Sequence, residues 1–113
     1  MSKNIAVVIQ EDPRKTHRPV EALRIALGLF AGSHRTTVVL LGEAVRLLSE
    51  EIDDIVDSEI LEQYLPSLKQ LELPFVLQTS TAQSTIRKEF LTRYETDANI
   101  RTLIESMDRT LVF

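Results

Sequence analysis

The sequence predicts a small α/β domain organised on a parallel sheet, and three observations predict it. Residues Thr36 to Val45 read Thr-Thr-Val-Val-Leu-Leu-Gly-Glu-Ala-Val, an aliphatic run stopped by Gly42. A strand with one wet face would alternate polar with apolar residues, so this run predicts a central strand buried on both faces. Asn4 to Ile9 has the same character, and between and beyond the two runs apolar residues fall at helical spacing. Buried strands alternating with amphipathic helices make a parallel sheet covered by helices.

Asn4 to Ile9 is the first strand, interior and beside the Thr36 strand. Gln10 to Arg18 follows as a polar loop that Pro13 keeps from becoming helix. Pro19 fits a first helical turn, where its missing N–H has no partner to lose. That helix runs to about Ala31, with Leu23, Ala26, Leu27 and Phe30 on one face and Gly32 placed to cap it. Ala22, Ile25 and Leu29 widen the apolar face beyond what one sheet covers. Gly28 and Gly32 remove side chains four residues apart, which lets another backbone approach. Two readings stay open: tight packing on the chain's own sheet, or a subunit contact through Ala22, Ile25, Gly28, Leu29 and Gly32.

Ser33 to Arg35 links this helix to the central strand, and Gly42 then turns the chain into a short helix from Glu43 to about Ser49. Next, Glu50, Glu51, Asp53, Asp54, Asp57 and Glu59 place six acids in ten residues; removing them would turn the formal charge of -4 into +2. The acidity is therefore local. Ile52, Ile55 and Val56 interrupt the run at near-helical spacing and the EF-hand glycine is missing, so the run reads as a solvated helix face and not as a cation site. In the second long helix Leu61, Tyr64, Leu65, Leu68 and Leu71 share a face. Pro66 falls inside it, leaving either a kinked helix or two short pieces.

Leu73 to Leu77 is the third strand, with Pro74 at its start where a ladder donor can be spared. Gln78 to Ser84 is a loop of hydroxyls and amides. From Ile86 to Tyr94 helical and alternating spacings compete; a short helix to about Glu89 followed by an edge strand fits best. Asp97 is placed to cap the last helix, striped by Ile100, Leu103, Ile104 and Met107, and Thr110 to Phe113 closes the chain as a strand. No repeat, linker or low-complexity tract divides residues 1–113, which read as one domain.

The 113 residues include no cysteine, which excludes disulfides, thiolate nucleophiles, cysteine-metal sites and persulfide carriers. The apolar run from Ile5 is too short for a signal peptide and nothing later approaches a membrane span, so a cytoplasmic protein is expected. Net negative charge and six aromatic residues weigh against nucleic-acid binding.

Ligands of parallel α/β sheets gather at the carboxyl ends of the strands. That edge collects the candidate ligand-binding residues Arg14, Lys15, His17, Arg18, Glu43, Thr79, Ser80 and Thr81. Arg14, Lys15 and Arg18 could attract a phosphate or other anion near the start of the first helix. No Walker or dinucleotide loop can be built, because none of Gly28, Gly32 and Gly42 follows the first strand. His17 with Ser80 is a candidate hydrolytic pair that lacks both a Gly-x-Ser-x-Gly elbow and an orienting acid, while His34 belongs to the opposite edge. No catalytic residue, metal ligand or cofactor is assigned.

With these pieces in order, the chain resembles the DsrE/DsrF-like family, which includes the TusB, TusC and TusD sulfur-relay proteins. The likeness lies in Lys3-Asn-Ile-Ala-Val-Val-Ile, in Glu21-Ala-Leu-Arg-Ile-Ala-Leu-Gly-Leu, in Thr37-Val-Val-Leu-Leu-Gly-Glu-Ala-Val and in Met107-Asp-Arg-Thr-Leu-Val-Phe. The resemblance implies a three-layer αβα sandwich with a five-stranded, mostly parallel sheet. It also implies assembly with itself or with related subunits into trimers or hexamers, and contact with a sulfur-carrier protein. Active members carry persulfide sulfur on a cysteine just past the third strand. Here Gln78 stands at that position, and an amide does not hold transferable sulfur. The implied role is a non-catalytic, oligomer-building or docking subunit, with a small-molecule or anion binder as the alternative.

Overall fold

The central strand, β2 (Arg35–Leu40), is flanked by β1 (Asn4–Ile9) and β3 (Phe75–Gln78) in a computed structural model that describes residues 2–113. β4 (Thr92–Glu95) lies outside β3 and β5 (Arg109–Val112) lies outside β1, giving the order β4-β3-β2-β1-β5. All four pairings are parallel. The longest register runs from Asn4 opposite Arg35 to Ile9 opposite Leu40. Val38, Val39 and Leu40 are completely buried, as a strand covered on both faces requires.

Helices α1 (Arg18–Ala31) and α2 (Ser58–Gln70) cover one face, where Leu23, Ala26, Leu61 and Leu68 pack on Val7, Ile9, Val38, Leu40, Phe75 and Leu77. Helix α3 (Asp97–Glu105) covers the other, where Ile100 meets Ala6, Val8, Val39 and Val76. The layers are therefore αβα. Chain direction explains the split: from β1 to β4 the strands step steadily toward one edge, but β5 returns beyond β1. A right-handed crossover that reverses direction must pass over the opposite face.

One open alternative is settled and four local expectations are corrected. α2 runs unbroken through Pro66, whose exposed position leaves its missing N–H bond on the solvent side, so the two-piece alternative falls away. Leu71 is 42% exposed and leaves the buried face, because the helix ends at Gln70 and Glu72 turns back with φ 53. The acidic stretch is a turn-rich loop between the Gly42–Leu48 3-10 helix and α2, with only Glu59 helical. Ile52 and Ile55 sink into the core and the Val56 N–H donates to the Pro13 carbonyl at 2.9 Å, so tertiary anchors take the place of helical bonds.

Ile86 to Glu89 is a bridge residue followed by a turn, and not a helix. Ile86 bridges Ser49, the Arg87 N–H donates to the Leu48 carbonyl at 2.9 Å, and Phe90 packs edge-on against Phe75 at 6.1 Å between ring centroids. Those partners outbid the i→i−4 bonds of a short helix, while the edge strand predicted after it forms as β4. Finally, the α3 cap is Thr96, whose hydroxyl accepts from the Asn99 N–H at 3.2 Å; Asp97 is the first helical residue.

Candidate site at the carboxyl edge

The loop after β1 carries its charges in pairs. The Arg14 guanidinium makes a two-pronged contact with Asp12, Nε to Oδ1 at 3.1 Å and Nη2 to Oδ2 at 2.8 Å, and the Arg14 N–H also donates to Asp12 at 2.9 Å. These bonds hold the Asp12 carboxyl at about 2, below its ordinary 3.8, against the smaller opposing effect of desolvation. Arg14 then reaches Glu43 at 3.6 Å, and Glu43 accepts from Arg46 Nε at 2.5 Å. The loop after β1 and the turn after β2 are thus joined by a chain of four alternating charges. Arg18 pairs separately with Glu11 at 2.6 Å and lies over the Phe113 ring, 5.7 Å from its centroid.

Gly42 opens the turn after β2 with φ +55, a left-handed conformation that a side chain would strain. Its N–H donates to Gln78 Oε1 at 2.9 Å, and Gln78 Nε2 donates to Asp97 Oδ1 at 2.9 Å. Because Asn4, Ala6 and Val8 alternate with core residues of the α1 side, Val76 and Gln78 fall on the α3 face of the sheet. A cleft of about 400 Å³ opens there, floored by Leu41, Ile100 and Ile104 and rimmed by Gln78, Asp97, Arg101 and Glu105.

The structure brings Arg14 and Glu43 together and leaves the other predicted ligand residues dispersed. Lys15 and His17 are exposed on the loop and at the head of α1, and the His17 side chain does not cap the helix. Thr79, Ser80 and Thr81 follow β3, with β2 standing between that strand and β1. His34 sits at the amino edge, its Nδ1 accepting from the Lys3 N–H at 3.2 Å.

Sequence reasoning missed Glu11, Asp12, Arg46 and Asp97. The signal for the first two was present, since Glu11 and Asp12 precede Arg14 and Arg18 in one short loop. Among the described residues no group of three or more His, Asp or Glu side chains converges to hold a metal ion. No helix among them is long and apolar enough to cross a membrane.

On α1, Ala22 is completely buried in the chain's own core, which removes it from the outward face. Ile25 and Leu29 are half-buried, and a Cβ built on Gly28 would meet no heavy atom within 4 Å. Gly28 therefore serves no close approach inside the chain. A Cβ on Gly32 would come to 3.3 Å from the Gly28 carbonyl oxygen. Gly32 ends the helix at φ -79, and Ser33 takes the left-handed turn at φ 71.

A parallel five-stranded αβα domain with its polar groups gathered at the strand ends defines the class. The chain belongs to the DsrE/DsrF-like family, whose model matches residues 3–113. The fold is shared with the ychN protein from E. coli, whose crystal structure superposes with a TM-score of 0.76 at 18% identity, over 98% of this chain and 99% of that one. No curated protein matches the chain.

Proposed function

We propose that this chain is a non-catalytic member of its family, a subunit that builds an oligomer with itself or with related DsrE/DsrF-like chains and docks a sulfur-carrying protein. The observation that carries the proposal is Gln78. By the resemblance, it occupies the place where active relatives hold their sulfur-bearing cysteine, and both ends of its amide are engaged within the fold. With no thiol anywhere in the 113 residues, use of this chain in a sulfur relay would rest on shape and association.

Two surfaces support association. The side of α1 away from the core carries half-buried Ile25 near the open position at Gly28, with Leu29, which packs against the chain's own core, at its flank. β5 forms a sheet edge, with Leu111 37% and Val112 52% exposed. Anion binding at the basic loop is the weaker reading, because Arg14 and Arg18 already pair with Asp12 and Glu11. Light scattering at micromolar concentration, together with recovery of bound proteins from native lysate, tests the proposal. An oligomer or a cysteine-bearing relative in the eluate supports it; a monomer with no partner overturns it.

A further inference from the structure

Gln78 lies where three segments meet: the end of β3, the turn at Gly42 and the first turn of α3. The chemistry of the partners sets the orientation of its amide. A backbone N–H can only donate and a carboxylate can only accept, so Oε1 must face Gly42 and Nε2 must face Asp97. Glutamate would lose the donor, and an aliphatic side chain would lose both bonds.

α3 has few other anchors. Ile100 is its one buried residue, Leu103 and Ile104 are half-buried, and its other side-chain bond to the sheet edge is Asn99 Nδ2 to Glu95 Oε1 at 3.2 Å. Thr96 caps the helix from within its own first turn and does not tie it to the sheet. Apart from the packing of Ile100 on Val39 and Val76, the start of α3 is tied to the carboxyl ends of β2 and β3, among the described residues, by the side-chain bonds of the Gln78 amide.

We infer that Gln78 is a positioning residue, a two-ended clasp that fastens the first turn of α3 to the Gly42 turn and so sets the width of the cleft between Leu41 and Ile104. The inference concerns how this face is held together and is independent of whether the chain associates. The position demands a specific donor–acceptor polarity, not merely bulk, and polarity can be exchanged. Gln78→Glu sets two carboxylates against each other and breaks the Asp97 end. Adding Asp97→Asn restores it, because the asparagine amide can donate to the new carboxylate while the Gly42 N–H still has its acceptor.

The test measures thermal midpoints of Gln78→Glu, Asp97→Asn and the double variant, and hydrogen exchange at the Gly42 amide in Gln78→Ala. The clasp requires the midpoint to fall by about 4 °C in Gln78→Glu and to recover most of that loss in the double variant, a non-additivity that a merely space-filling side chain would not produce. It also requires Gly42 exchange to quicken roughly tenfold when the acceptor is removed. Additive single effects with unchanged Gly42 exchange would overturn it. If Gln78→Ala fails to fold, the double-variant recovery still decides. An unchanged oligomeric state in all variants leaves the docking proposal intact, so the two ideas fail separately.

Discussion

Replacing Gly28 by alanine separates the stability of the chain from its association. Gly28 lies inside α1, and a Cβ there meets no heavy atom within 4 Å, so the methyl group carries no steric cost in the isolated chain. What remains is the helix propensity difference, which favours alanine by about 1 kcal/mol. On a domain of this size that raises the thermal midpoint by about 4 °C. Gly32 is the internal control: its Cβ would stand 3.3 Å from the Gly28 carbonyl, so the gain there should be smaller or absent.

The opposite effect is expected on assembly. Where a second backbone approaches the bare position at Gly28, the added methyl occupies that space and association weakens. The assay is a melting curve on the dissociated chain paired with sedimentation over a concentration series. A lower midpoint for dissociated Gly28→Ala would refute the open-space reading. Unchanged association in that variant would refute α1 as the contact.

Leu23 is completely buried between α1 and the sheet, and Leu23→Ala should cost about 3 kcal/mol, read as a lower urea midpoint at constant slope. Thr96→Ala should destabilise α3 by about 1 kcal/mol through loss of the cap, visible as faster amide exchange at Asn99. Asp12 binds its proton less readily when folded, at about 2 against 3.8, so its contribution is complete above the ordinary carboxylate range and is lost as pH falls through about 2. Asp12→Asn should flatten the acid limb of the stability curve over that window. The effect should be about 1 kcal/mol, less than the full shift converts to, because the Arg14 side chain is 34% exposed and water screens the pair.

The fold was legible where burial left a one-dimensional trace. β1 and β2 were legible from the aliphatic runs Ile5 to Ile9 and Val38 to Leu40, buried because both faces of a central parallel strand are covered, and the α1 stripe and Pro19 marked the first helix for the same local reasons. Residues 50–59 and 86–90 misled because their backbone partners are distant in sequence. Val56 bonds Pro13, Arg87 bonds Leu48 and Ile86 bridges Ser49, and spacing alone cannot report such bonds. Asp97 looked like a cap because aspartate caps well; Thr96, one residue earlier, also caps and has the required extended backbone at ψ 160.

At the site, the sequence brought Arg14, Glu43 and Gln78 to one edge of the sheet. It did not reveal that Arg14 is neutralised by Asp12, or that Gln78 bridges Gly42 to an aspartate 19 positions further along the chain. Charges and amides record no spacing pattern of their own. Their partners emerge only once the strands set the register.

The most direct measurement is native mass spectrometry of the chain recovered under gentle conditions from its own cells. A complex at a multiple of the 12.9 kDa subunit mass, or one containing a cysteine-bearing relative, is the expected result. A lone 12.9 kDa species across the accessible concentration range, with nothing bound, would contradict the account.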